Sequence, residues 1–292
     1  MKPKGKLILI GGSIETNINK IDNGVDEDKY PNRVILPEII NLAGGAENRI
    51  ELLTCASGIP EKVWEDYRKI FKKLGAENLG NLFIRDHEIE NNEKEILRRL
   101  EKADLILLTG GDQKQLINNL RGTEFHELML QRYLHDDFII AGTSAGAMAL
   151  SGVSILGEKE GNIYQKDDLI MDTGLGFMNH TIIDTHFTQR SRLERLAQAI
   201  VLYPDKLGIG IGEDTALIIK DGNDCEVIGS GKIILIDGTH FEQEKLGGNG
   251  RDTDNEAIPL FNLTVHILFP GDEYFIQEKK PVCHYEMRSY QK

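Results

Sequence analysis

A chain of 292 residues with 40% hydrophobic content is long enough to bury a large core, as one α/β domain or two small ones. Its net charge of −13 excludes a general binder of nucleic acid or of anionic membranes, because either needs a basic footprint; a cationic or zwitterionic substrate suits it better. The three cysteines, Cys55, Cys225 and Cys283, are odd in number and far apart, which argues against a disulfide framework or metal-site spacing and for a reducing cytoplasm.

The N-terminal stretch from Met1 to Lys6 is basic, but only four apolar residues, Leu7 to Ile10, precede Gly11-Gly12, too few for a signal-peptide core. No run approaches transmembrane length. The first two thirds alternate apolar runs with amphipathic stretches, which predicts a mainly parallel sheet flanked by helices. Strands are expected at Lys6–Ile10, Arg49–Thr54, Asn81–Arg85, Asp104–Thr109 and Asp137–Gly142. Helices are expected near Tyr30–Leu42, Pro60–Leu74, Asn92–Lys102, Gln113–Leu120 and Glu124–Leu134, with Pro60 in a first turn and Gly75 just past a C-terminus.

From about Leu207 short strands follow one another: Leu207–Ile211, Ala216–Lys220, Cys225–Ile228 and Lys232–Asp237. The turns Asp221-Gly222-Asn223 and Ser230-Gly231 predict antiparallel hairpins that extend the same sheet system. The polar, glycine-rich stretch His240–Asn255 is expected to be a mobile surface loop, and a last strand pair, Leu263–Phe269 and Glu273–Gln277, is expected to turn at Pro270-Gly271-Asp272. With no Pro- or Ser-rich linker, the reading is one domain over 1–292, its core at about 5–237 and a strand extension at 238–292.

Within the core, Phe138 to Ala147 is an apolar run ending in Gly142-Thr143-Ser144-Ala145-Gly146, then small residues able to start a helix. That is the layout of a nucleophile elbow: the serine stands on a sharp strand-to-helix turn, with glycines two residues either side where a Cβ would clash. The amide of Ala145 then faces any developing oxyanion. The pentapeptide alone is equally compatible with a simple glycine-rich turn, so its partners decide its meaning.

In an open parallel sheet ligands bind beyond the carboxyl ends of the strands, which directs attention to three further places. After Leu108-Thr109 comes Gly110-Gly111-Asp112-Gln113, where Asp112 can cap a helix and the amide of Gly111 can supply a second oxyanion donor. The run Thr181 to Phe187 puts Asp184 and His186 on one face if extended, and His186 is the candidate base that a serine needs at neutral pH. The glycine-rich run Gly208 to Gly212 ends in Glu213-Asp214; the acid that would hold the histidine is open among Glu213, Asp214, Asp172 and Asp184. Helical periodicity over Gln189–Tyr203 carries Arg190, Arg192 and Arg195 near its start, and three arginines close to a candidate histidine in an acidic protein suit a substrate carboxylate.

Taken together, Leu108 to Gln113, Gly142 to Ala147, Asp184 to Leu196 and Gly210 to Ala216 resemble the cyanophycinase family, among the serine peptidases that also include the aspartyl dipeptidases. The likeness in motif order and spacing runs from about Gly5 to Asp237 and weakens toward the C-terminus. The resemblance implies a class I glutamine amidotransferase-like, flavodoxin-like three-layer sandwich with added C-terminal antiparallel strands. It implies Ser144 as nucleophile, His186 as base and Glu213 as third member, with Gln113, Asp184, Arg190, Arg192 and Arg195 lining the substrate pocket. The implied substrate is cyanophycin, a poly-aspartate backbone with arginine on each β-carboxyl, cut to β-aspartyl-arginine dipeptides without metal or organic cofactor; relatives suggest a homodimer. The family commonly has glutamine before its catalytic histidine, where this chain has Thr185. An aspartyl dipeptidase or a catalytically silent binding protein on the same fold are the alternatives, and an amidotransferase is disfavoured because no cysteine lies near position 144.

Overall fold

The computed structural model describes residues 2–12, 35–84, 88–159, 168–241 and 259–282, with the side chains of 88–93 left aside. Five strands build the parallel half of a large sheet: β1 (Lys6–Ile10), β2 (Ile50–Leu53), β3 (Leu79–Leu82), β4 (Leu105–Leu108) and β5 (Ile139–Thr143). Each pairs in parallel, in the order β1-β5-β4-β2-β3. β2, β4 and β5 are buried at every residue, as strands covered on both sides must be, and the runs are mainly apolar, with Glu51 on β2 and Asn81 on β3 as buried polar exceptions.

The connections are α1 (Ile35–Leu42), α2 (Pro60–Lys73), α3 (Glu88–Lys102), α4 (Gln113–Leu120) and α5 (Glu124–His135). Helices α1 and α2 bury Ile35, Ile39 and Phe71 against one face of the sheet, beside Ile8, Ile10 and Leu52. On the other face α3, α4 and α5 bury Leu100, Leu116, Phe125 and Met129 beside Leu9, Ile106 and Ile140. Pro60 occupies the first turn of α2, Gly75 follows that helix at φ +88, and the Asp112 carboxylate caps α4 by accepting from the amides of Lys114 and Gln115. The third strand runs two residues earlier than its sequence suggests, and Arg85 lies outside the described residues.

After β5 come α6 (Ala145–Ala149), the antiparallel pair β6 (Val153–Glu158) and β7 (Leu169–Thr173), β8 (Thr181–Thr185) and α7 (Leu193–Leu202). The remaining strands are β9 (Leu207–Ile211), β10 (Thr215–Lys220), β11 (Asp224–Gly229), β12 (Ile233–Asp237), β13 (Thr264–Leu268), β14 (Glu273–Phe275) and β15 (Lys280–Pro281). They do not all extend one sheet. β10, β11, β14 and β15 add antiparallel strands beside β1, whereas β8, β9, β12 and β13 form a second, four-stranded sheet in the order β13-β12-β9-β8.

The chain therefore changes sheet at β9 to β10, at β11 to β12 and at β13 to β14. The hairpin expected at Asp221-Gly222-Asn223 forms between β10 and β11, but the one expected at Ser230-Gly231 does not. β12 is apolar almost throughout and takes a central place between β9 and β13, which an outer hairpin strand would not need. Nor do β13 and β14, the strand pair expected about Pro270-Gly271-Asp272, pair with each other. The amide of Gly271 donates to the Val227 carbonyl at 2.9 Å and the Val227 amide donates to Asp272 at 3.0 Å, so the Pro270-Gly271-Asp272 turn is fastened to β11 and delivers β14 to it. Leu7, Leu9 and Leu217 of the large sheet share one apolar cluster with Ile183, Ile209 and Leu235 of the small one, and α7 covers the outer face of the small sheet through Leu196 and Ile200. The expected loop at His240–Asn255 lies outside the described residues from 242 onward.

Candidate active site

β5 runs fully buried between β1 and β4 and ends at the elbow. Ser144 takes φ 53 and ψ −117, a conformation that a side-chain-bearing residue keeps only where its surroundings over-determine it. Its amide donates to the Ile10 carbonyl at 2.9 Å, and its own carbonyl accepts from Ala147 and Met148 as α6 begins. Both flanking glycines are required by close approach: a Cβ on Gly142 would stand 2.6 Å from the Gly146 carbonyl, and one on Gly146 2.1 Å from the Leu108 oxygen.

The large sheet thus supplies the serine, while the small sheet supplies what faces it. His186 follows directly on β8, and Glu213 lies on the link that carries the chain from β9 back to β10. His186 Nε2 is 2.8 Å from Ser144 Oγ, and Nδ1 is 2.6 Å from Glu213 Oε1. With Nδ1 donating its proton to the carboxylate, Nε2 is left as the acceptor for the serine hydroxyl. The His186 side chain is 11% exposed and that of Glu213 30%, so the ring is largely withdrawn from water while the acid keeps an open side.

The four carboxylates open at the sequence level are now separated by position. Asp214 turns away at φ 48 and accepts from the Ser230 hydroxyl at 2.6 Å, Asp172 on β7 accepts from Arg121, and Asp184 is bonded to arginines. Glu213 is the one against the imidazole. Its amide donates to Gln189 Oε1 at 3.1 Å, which clips the acid link to the turn after His186.

The Gly110-Gly111-Asp112 loop is pressed between the elbow and the end of β2. A Cβ on Gly110 would lie 3.3 Å from the Ser144 Cβ, and one on Gly111, at φ +145, would lie 1.9 Å from the Ala56 oxygen. The Asp112 amide donates to that same oxygen at 2.8 Å, fixing the loop beside the serine. Gln113 begins α4, and its Nε2 donates to the Ile155 carbonyl at 2.7 Å, so the side chain ties the loop to β6.

Asp184 stands elsewhere than on a pocket wall. Its carboxylate is fully buried and accepts from Arg195 Nε at 2.9 Å and from Arg192 Nη1 at 3.0 Å. Arg192 Nη1 also donates to the Thr185 carbonyl at 2.7 Å. Desolvation pulls the Arg192 guanidinium below its ordinary pKa, and the Asp184 charge opposes that shift. The helix expected from Gln189 starts only at Leu193, because the chain first makes tight turns with Ser191 at φ 52. Arg190 is exposed in those turns, and its guanidinium makes no hydrogen bond or ion pair among the described residues. Thr185 is fully buried, and its hydroxyl lacks a hydrogen-bond partner among the described residues.

Sequence reasoning passed over Gly11-Gly12, which ends β1 at the centre of the site, and the β6–β7 pair that receives Gln113. The glycine pair was legible as the stop of an apolar run; its reach to two other strand ends was not. Burial pushes the Cys55 thiol up to about 12 and raises that of Cys225, so neither is a competing nucleophile; Cys283 lies outside the described residues. Among the described residues no group of His, Cys, Asp or Glu could hold a metal, and no helix is long and apolar enough to cross a membrane.

Residues 22–227 match the family model described as Peptidase family S51. A cyanophycinase of Geminocystis herdmanii is 34% identical over 260 residues, covering 89% of this chain and 94% of its own. One of Synechococcus elongatus is 31% identical, covering 93% of this chain and 79% of its own. Among solved structures, a peptidase from an acI-B1 Actinobacterium superposes with a TM-score of 0.62 at 19% identity, covering 94% of this chain and 98% of its own. A putative peptidase E protein from Listeria monocytogenes gives 0.52 at 20% identity, with 77% and 96% covered. These two share the fold; the family match and the curated relatives go further, and this chain belongs to peptidase family S51 as a serine-type peptidase.

Proposed function

We propose that this chain hydrolyses cyanophycin to β-aspartyl-arginine dipeptides through an acyl-enzyme, with Ser144 as nucleophile, His186 as base and Glu213 as the acid that orients it. The observation that carries this reading is the unbroken line of bonds from Ser144 Oγ through both ring nitrogens to Glu213, in a chain whose curated relatives are named cyanophycinases. Nε2 takes the hydroxyl proton as Oγ attacks the backbone carbonyl beyond a β-linked aspartyl unit, and Glu213 stabilises the imidazolium that forms. The amides of Ala145 and Gly111 receive the oxyanion. The imidazolium then protonates the leaving amine, and a water deprotonated by His186 releases the second product and regenerates the serine.

Substrate carboxylates are assigned first to Arg190, whose guanidinium is exposed, and secondarily to the open side of Arg192. Gln113 and Asp184 act through the elements they tie together. Neither metal nor organic cofactor enters the scheme. The apolar cluster shared by the two sheets supports a single domain, and the cysteine usage a cytoplasmic setting; a homodimer is the assembly proposed.

The test is release of dipeptide from purified cyanophycin, alongside isolated β-aspartyl and α-aspartyl dipeptides, by wild type and Ser144→Ala. Polymer cleavage that falls by about 10⁴-fold or more in the variant is expected. Cleavage of α-aspartyl dipeptides alone would replace this reading with an aspartyl dipeptidase, and no phosphonylation of Ser144 by a serine-directed fluorophosphonate would replace it with a binding protein.

A further inference from the structure

We infer that the Ile10-Gly11-Gly12 turn is the element that aligns the three residues of the site, and that Gly12 is a positioning residue for the His186 imidazole. Three successive carbonyls at the end of β1 each receive one amide. Ile10 accepts from Ser144 at 2.9 Å, Gly11 from His186 at 2.8 Å, and Gly12 from Asp214, the neighbour of Glu213, at 3.1 Å. Those three donors share a further property: they stand at φ 53, 49 and 48, in the left-handed region that side-chain-bearing residues seldom enter. Strained conformations persist where outside bonds hold them, and here the holding bonds converge on one tripeptide.

Topology explains why that tripeptide can do this. β1 lies between β5, which it pairs in parallel, and β10, which it pairs antiparallel. Its carboxyl end is therefore flanked on one side by the elbow after β5 and on the other by the link into β10. The end of β8 approaches from the small sheet.

Gly12 adds a steric role to the polar one. At φ +102 it lies so close to the ring that a Cβ would stand 2.4 Å from His186 Cε1 and 2.5 Å from Nε2. Any side chain there would push Nε2 away from Ser144. Gly11 is equally constrained, but by backbone: its Cβ would meet the Gly212 oxygen at 1.8 Å. The turn lies ahead of residues 22–227, where the family match falls.

The test separates ring contact from backbone cost by means of Gly45, which has nearly the same φ, +108, with nothing within 4 Å of a Cβ. Gly12→Ala and Gly45→Ala should both lower Tm. Only Gly12→Ala should lower kcat, by about 100-fold, the cost of displacing a reacting group by about 1 Å, with KM little changed. The rate of Ser144 phosphonylation by a fluorophosphonate should fall with it. That readout needs no peptide substrate, so it stands apart from the proposed function, on which the kcat arm rests. A double-variant cycle guards against a Gly12→Ala protein too unstable to assay: adding His186→Ala removes the clash, so the Gly12→Ala/His186→Ala protein should be more stable than Gly12→Ala alone. Equal phosphonylation rates in the two glycine variants, or a Gly12→Ala penalty that is the same with and without His186, would overturn the inference.

Discussion

Among the described residues two carboxylates are buried completely, Glu51 on β2 and Asp184 on β8, and each is held by two arginines. Arg49, just ahead of β2, donates to Glu51 at 2.9 Å, and Arg99 of α3 at 3.1 Å; Arg99 also reaches the Asn81 carbonyl at 3.0 Å. Around Asp184 the arginines are Arg192 and Arg195, and Arg192 likewise reaches a strand carbonyl, that of Thr185. Both clusters do the same physical work, fastening a helix to a strand through a charge that could not be buried unpaired. Only one is next to His186. Three arginines near a histidine therefore do not by themselves mark a carboxylate site, because two of the three are committed to the fold.

The largest effects should come from removing the shared carboxylates. Asp184→Ala and Glu51→Ala each leave two guanidinium groups without their buried partner, and each should cost about 3–5 kcal/mol in urea unfolding. Their activities should part company. Asp184 also accepts the Thr185 amide at 2.9 Å, and Arg192 holds the Thr185 carbonyl, so the residue before His186 loses two restraints in one variant and none in the other. Per folded molecule, kcat should fall steeply in Asp184→Ala and stay near wild type in Glu51→Ala. A matching loss in Glu51→Ala would show that loosening anywhere reaches the site, and the contrast would be gone.

The same contrast shows what the chain could reveal without coordinates. The parallel half was legible because each of its strands is a short apolar run bounded by punctuation, with helical periodicity between. Ser144, His186 and Glu213 were legible as residues at strand ends, though Glu213 could be chosen over Asp214 only by resemblance; what places it is the link from β9 to β10, a sheet change that local pattern does not encode. After β9 the β10–β11 hairpin was found with its pairing and β15 was not expected, while β12, β13 and β14 were found without their partners, since turn residues report that a chain reverses and not which sheet receives it. Asp184 and its arginines look alike in sequence whether they face solvent, substrate or one another. Burial decided that, and burial here depends on β8 having a partner sheet.

Arg190 offers a sharper probe, since among the described residues it has no buried partner and it lies ahead of α7. Arg190→Ala should raise KM for cyanophycin by about tenfold, with kcat and Tm nearly unchanged, as expected for loss of binding shared by ground and transition states. Arg192→Ala, one of the committed pair, should lower Tm as well. Steady-state kinetics beside thermal unfolding distinguishes them, and a large Tm loss in Arg190→Ala would move that residue into the structural class.

The smallest effect expected is at Gln189, where neither buried charge nor substrate contact is involved. Its Oε1 accepts the Glu213 amide at 3.1 Å from an exposed side chain, so the bond competes with water and is worth about 0.5–1.5 kcal/mol. Because it restrains the acid link and not the overall fold, that energy should appear in kcat, as a loss of about two- to tenfold in Gln189→Ala, with Tm and KM little moved. Gln189→Glu keeps an acceptor at the same reach and should recover most of the rate, whereas Gln189→Ala and Gln189→Glu failing alike would mean that the amide bond does not position Glu213. Recovery by the acceptor alone would place the control of the acid in one exposed hydrogen bond, separate from the buried Asp184 cluster.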